Sequence, residues 1–209
     1  CTQSGETKDL HRCLEIGSNK NCIMLGVVNV VDSLIAREVH CGVYLNACRE
    51  VSVASTKSFT SMCLVLSLIS IWFYQLKVTR QNINIIRNIK NIQCLSKQIR
   101  ETLDICKIEL QKYLYKLDKR SMFILGRGKM EAVSREGSLK IKEVSYIHAE
   151  GYSTSCLKHG PFALLEVGFP VILGIDNINK YVGLNAYEEI KSRGAFILVI
   201  TEIEDLEVD

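Results

Sequence analysis

Ser121-Met122-Phe123-Ile124-Leu125-Gly126-Arg127-Gly128 decides how this sequence of 209 residues is read. Five residues of mostly apolar, strand-forming character run into a glycine-arginine-glycine turn. Residues 130–148 then carry a helical pattern. A strand passing through a glycine turn into a helix is the first half of a parallel βαβ unit. Downstream, Pro170-Val171-Ile172-Leu173-Gly174-Ile175 predicts a second strand, and residues 178–193 predict a helix that Gly194 stops. Ala195-Phe196-Ile197-Leu198-Val199-Ile200-Thr201 predicts a third strand.

The upstream half follows the same grammar. Residues 8–18 read as a helix, Cys22–Val28 as a buried strand and Cys41–Leu45 as another strand, followed by a loop over 46–55. Ser58–Leu76 carries no charge between Lys57 and Lys77 and approaches the ~20 residues that a bilayer span needs. Six polar residues, among them Ser61, Ser67 and Gln75, interrupt it, so it reads as a buried core helix and not as a membrane span. Residues 79–117 place Ile85, Ile89, Ile92, Ile99, Leu103 and Leu110 at steps of three, four and seven. That spacing predicts one long amphipathic helix or two in series. The expected organisation is an α/β domain over 1–78, a helical connection over 79–118 and a second α/β domain over 119–209. A glycine-bearing loop normally follows a strand in such folds. None precedes Thr2, so the first domain is expected to lack its opening strand and the chain to be cut inside a domain.

Composition narrows the function classes. Hydrophobic residues make up 47% and charged residues 23%, enough apolar material for a packed core. The net charge of +3 is spread without a basic face, which removes the electrostatic reason to expect a nucleic-acid partner. The 9 cysteines show no C-x-x-C spacing, and Cys22, Cys63 and Cys106 lie in apolar runs. They read as reduced, buried thiols, with no metal or cofactor site expected. No secretory leader opens the sequence, so the expected compartment is the cytoplasm.

Four segments carry possible chemistry. Thr2-Gln3-Ser4-Gly5-Glu6-Thr7 offers three hydroxyls, an amide and a flexible glycine ahead of a helix. Such donors at a helix N-terminus suit a small phosphate monoester, and they equally suit a plain cap with Ser4 or Thr7 as the capping residue. Val53-Ala54-Ser55-Thr56-Lys57 precedes a helix in the same way and has the same capping alternative. In Glu136-Gly137-Ser138-Leu139-Lys140-Ile141-Lys142-Glu143, Lys140 and Glu143 are three apart and share a helix face. A carboxylate there can shuttle a proton between C1 and C2 of a ketose, with the lysine stabilising the oxyanion or keeping the carboxylate ionised. The alternative is an ordinary surface ion pair. His159, in Leu157-Lys158-His159-Gly160-Pro161, is suited to acid–base work or is simply exposed.

The ordered set T-Q-S-G-E-T, V-A-S-T-K, G-R-G, E-G-S-L-K-I-K-E, Y-I-H-A-E and L-K-H-G-P resembles the isomerase domain of glutamine–fructose-6-phosphate aminotransferases, from Thr2 to about Thr201. That resemblance implies two tandem sugar-isomerase (SIS) domains, each a parallel sheet between helical layers. It implies that Thr2, Gln3, Ser4 and Thr7 bind the phosphate of fructose 6-phosphate and that Val53 and Ser55 contact the sugar. Glu143 would move the proton, with Lys140 beside it. His159 would help open the ring, from the neighbouring subunit of a homodimer. The product would be glucosamine 6-phosphate, on the way to UDP-N-acetylglucosamine. The sequence departs from the family in lacking the glutaminase domain, the threonine-serine turn of the first SIS domain and the C-terminal Schiff-base lysine. Thr2 stands for a serine, Cys156 for a glutamate and Cys48-Arg49 for glycine-proline. A non-catalytic sugar-phosphate-binding SIS module, or a decayed fragment, is the alternative reading.

Overall fold

The computed structural model describes residues 1–78 and 82–208; residues 79–81, at the start of the expected connection, and residue 209 lie outside the described residues. Two compact units are present, Cys1–Thr102 and Leu103–Asp209.

In the first unit, α1 (Lys8–Asn19) leads to β1 (Leu25–Val28), a short α2 (Leu34–Glu38), β2 (Cys41–Tyr44) and α3 (Lys57–Lys77). The strands β1 and β2 pair in parallel, Leu25 opposite Cys41 through Val28 opposite Tyr44. The first strand is shorter than the expected Cys22–Val28: Cys22 and Ile23 are exposed, and burial begins at Gly26. The short α2, with Ser33 at its N-cap, has too few residues to give a periodic signal in the sequence.

Thr2 lies along the free side of β1 in a parallel bridge to Val28. Its amide donates to Val27 O at 2.9 Å, and the amides of Asn29 and Val30 donate to Thr2 O and Gln3 O. The loop that follows therefore has backbone pairing to hold it.

The expectation of a buried core helix over Ser58–Leu76 is corrected. The helix forms as α3, but only Ser58 and Ile71 are buried, and Trp72 is 54% exposed. Among the described residues no other element packs closely along α3, so its apolar positions meet solvent and not a sheet or a second helix. By length and composition alone it is a helix that could cross a membrane. The expectation of buried thiols fails as well. All nine cysteines are free, but eight are exposed and Cys106 is half-buried, because the apolar runs holding Cys22 and Cys63 are themselves surface segments.

The long periodic segment forms α4 (Ile83–Glu109), then a 3₁₀ turn at Leu110–Lys112 and α5 (Leu114–Leu117). In the second unit β3 (Ser121–Gly126) is followed by α6 (Lys129–Ser145), β4 (His148–Ser153), β5 (Pro170–Ile175), α7 (Lys180–Lys191) and β6 (Phe196–Thr201). All four strands are parallel, in the order β4-β3-β5-β6. Parallel neighbours need crossovers, and α6 and α7 supply two of them. Phe123, Leu125, Val171, Leu173 and Ile190 form the centre of the core.

The expected helix over 130–148 ends early, and β4 has no counterpart among the expected strands. Tyr146 adopts the left-handed conformation (φ 61°) that terminates α6, and its amide donates to Lys142 O. His148-Ala149-Glu150-Gly151-Tyr152-Ser153 is polar and lacks an apolar run, yet it pairs with β3 along its whole length at the edge of the sheet. Gly151 is needed there: a Cβ on it would lie 2.6 Å from Arg135 Cα of α6.

Candidate functional site

The Thr2–Thr7 loop is built around Gly5. Its φ of +72° is a backbone conformation that glycine adopts freely, and a Cβ there would lie 1.9 Å from Ser33 Oγ. Gly5 N donates to Thr2 Oγ1 at 3.2 Å and Glu6 N to Ser4 Oγ at 3.2 Å. From outside, the amide of Ile35 donates to Gly5 O, and that of Leu34 to Glu6 Oε1 at 2.9 Å. The glutamate of this segment thus anchors the loop to α2 and is not part of a donor set. Thr7 occupies the N-cap of α1, but its hydroxyl makes no cap hydrogen bond. Its side chain is exposed beside the unsatisfied amides of the helix's first turn, a ready anion-binding arrangement. Thr2 is only 6% exposed, whereas Gln3 and Ser4 are half-buried.

The second loop of this unit holds Val53, 90% exposed, and Ser55, half-buried. Neither Ser55 nor Thr56 caps α3 from its side chain. Glu50 does so instead: its Oε1 accepts from Thr56 N at 3.1 Å, Ser58 N at 3.0 Å and Ser58 Oγ at 2.8 Å. These bonds, that from the Ser58 amide foremost, hold the Glu50 carboxyl below the usual carboxylate range. Ser58 is fully buried and its Oγ also contacts Ser55 Oγ. Sequence reasoning missed both residues. A glutamate seven residues ahead of a helix start is outside the usual capping pattern.

In the second unit Lys140 and Glu143 do meet. Lys140 Nζ lies 2.7 Å from Glu143 Oε2 and 3.6 Å from Glu136 Oε1, with all three side chains mostly covered. The ammonium is thus shared by two carboxylates on the last turns of α6, and Glu136 is a member that the sequence expectation did not include. Its spacing of four residues from Lys140 was the available signal.

His159 ends a 3₁₀ turn, Leu157–His159, anchored by buried Leu157. It is exposed, and no contact joins it to Lys140 or Glu143 among the described residues. The turn is braced by Lys158 Nζ, 2.7 Å from Glu189 Oε1, and by Arg193 over the ring of Phe162. Among the described residues no cluster of His, Cys, Asp and Glu is placed to hold a metal ion.

A family profile described as SIS domain matches residues 1–71 and 117–206. The chain is 43% identical over 203 residues to a protein of Acanthamoeba polyphaga mimivirus named "Probable glutamine--fructose-6-phosphate aminotransferase (isomerizing)", covering 96% of this chain and 33% of that one. It is 37% identical over 211 residues to the glutamine–fructose-6-phosphate aminotransferase (isomerizing) of Chlorobaculum tepidum, covering 100% and 34%. The chain therefore spans about a third of the length of the curated relatives it matches. Among solved structures, the C-terminal domain of glucosamine-fructose-6-phosphate aminotransferase from Francisella tularensis superposes with a TM-score of 0.89 at 30% identity, covering 95% of this chain and 57% of that one.

Proposed function

As this chain belongs to the SIS domain family, we propose that it is the isomerase portion of an enzyme that converts fructose 6-phosphate, with ammonia from glutamine, to glucosamine 6-phosphate, the entry to UDP-N-acetylglucosamine synthesis. The mostly covered ion pair of Lys140 and Glu143 carries the reading. A phosphate-binding module without catalysis has use for the Thr2–Thr7 loop but none for a carboxylate and an ammonium joined on one helix face.

In this reading Thr2, Gln3, Ser4 and Thr7 take the phosphate, using neutral donors and the first-turn amides of α1. Val53 and Ser55 meet the sugar. Glu143 removes the proton from one of C1 and C2 and returns it to the other, and Lys140 neutralises charge developing on the adjacent oxygen. His159 assists ring opening at the site of a neighbouring copy, so the working unit is a homodimer, in the cytoplasm. The domain boundaries belong to the same proposal: SIS units over 1–78 and 119–209, joined by 79–118.

The test is a mass-balanced isomerisation assay on fructose 6-phosphate with the chain and its Glu143→Gln variant. Loss of a general base lowers the rate by roughly 10²–10⁴-fold. Equal turnover by both removes Glu143 from the role. No turnover by either, with fructose 6-phosphate still raising the thermal midpoint, makes the chain a binding module.

A further inference from the structure

The Glu50–Ser58–Ser55 chain of hydrogen bonds has a direction. Glu50 as a carboxylate accepts only. The single hydroxyl proton of Ser58 therefore goes to Glu50 Oε1, at 2.8 Å. That leaves Ser58 Oγ as an acceptor toward Ser55, the other hydroxyl it contacts. The proton of Ser55 is thereby turned inward, and what Ser55 presents outward is lone pairs. Ser58 cannot turn away to relax this order. It is 0% exposed, and its own amide is fixed on the same Glu50 oxygen at 3.0 Å. Lys57 Nζ donates to Arg49 O at 2.8 Å, which leaves Glu50 Oε1 to the two amides and the Ser58 hydroxyl.

We propose that Glu50 and Ser58 are positioning residues that make Ser55 a hydrogen-bond acceptor, so that this loop takes a neutral sugar hydroxyl and not a phosphate oxygen. This deepens the proposed function and rests on its placing of Ser55 at the substrate. A phosphate monoester near neutral pH offers chiefly acceptor oxygens, and an acceptor-only serine gives them nothing. A polyol hydroxyl can donate to Ser55. The two loops of the unit then divide one ligand between them: Thr2–Thr7, rich in donors, holds the phosphate end, and Val53–Ser55 reads the hydroxyl end. The orientation of a sugar phosphate follows from the polarity of one serine, set by a carboxylate that never touches the ligand.

The experiment is a pair of amide-resolved titrations of the full chain, one with fructose 6-phosphate and one with inorganic phosphate, on the wild type and Ser58→Ala. Fructose 6-phosphate is expected to shift the signals of Ala54, Ser55 and Thr56, and inorganic phosphate only those of Gln3 to Thr7. Ser58→Ala removes the inward acceptor of the Ser55 proton and frees Ser55 to donate, so inorganic phosphate is expected to shift Ser55 in this variant although it does not in the wild type. Inorganic phosphate shifting Ser55 of the wild type as strongly as the sugar phosphate overturns the proposal, as does a Ser55 that stays unresponsive to inorganic phosphate in Ser58→Ala. Hydrogen exchange at the amides of Thr56 and Ser58 tests the relay without any ligand. Glu50→Gln is expected to speed it about tenfold, and an unchanged rate overturns the relay itself. If the wild type shows no response to fructose 6-phosphate while the exchange result holds, the functional reading falls and takes the ligand half of this proposal with it, leaving the relay standing.

Discussion

Gly5→Ala should damage the phosphate loop by a calculable amount. The new Cβ brings two penalties. The first is conformational: Gly5 has φ +72°, and a residue with a Cβ held there costs about 1–2 kcal/mol. The second is steric. The Cβ would lie 1.9 Å from Ser33 Oγ and 2.4 Å from Ser33 Cβ, so Ser33 must move and break its hydroxyl bond to Val30 O at 2.9 Å. Displacing a packed, hydrogen-bonded side chain costs about 1–3 kcal/mol. The total is about 2–5 kcal/mol. Gly168→Ala isolates the first penalty, since Gly168 has φ +77° and a Cβ added to it would meet nothing within 4 Å; it should cost about 1–2 kcal/mol. Ser33→Gly should be destabilising alone, by about 1–2 kcal/mol from its lost bond and added chain freedom. In the Gly5→Ala background it should be neutral or stabilising, a coupling near ~2 kcal/mol. Urea-dependent hydrogen exchange read on peptides of Cys1–Thr102 for Gly5 and Ser33, and of Leu103–Asp209 for Gly168, measures each change within its own unit. If Gly5→Ala costs no more than Gly168→Ala, or Ser33→Gly costs the same in both backgrounds, the close approach of Gly5 to Ser33 is refuted.

Other expectations follow from burial and charge. Leu173 in β5 is fully buried, so Leu173→Ala should cost about 2–5 kcal/mol and lower the thermal midpoint of the second unit by about 10 °C or more. Gly151→Ala should separate β4 from α6, exposing β4 amides to exchange, because the Cβ meets the backbone of Arg135 at 2.6 Å and no rotamer change relieves it. Glu50 supplies a pH dependence. Its folded carboxyl lies below its ordinary value, so its contribution is complete above that value and lost as the pH falls through the lowered one. Exchange in the first turn of α3 should accelerate over that acid range in the wild type and show no such step in Glu50→Gln.

Much of this protein can be read from order along the chain. The run Ser121–Leu125 into Gly126-Arg127-Gly128, the apolar Pro170–Ile175 and the stop at Gly194 are local patterns, and each corresponds to an element in the structure. Lys140 and Glu143 were predictable as a pair because a helix brings residues three apart together whatever surrounds it. The hydroxyl loop that begins at Thr2 was legible as a phosphate cradle or a cap. Its backbone anchors on Val27, Asn29 and Val30, more than twenty residues away, were not. The same limit explains β4, a polar segment that becomes a strand by pairing with β3, and α3, whose apolar sequence says that it is helical but not how little of it is covered. Burial and sheet order are properties of what else is folded nearby. So is the direction of a hydrogen bond: Ser55 is a hydroxyl in any sequence, and only Glu50 folded back on Ser58 turns it into an acceptor.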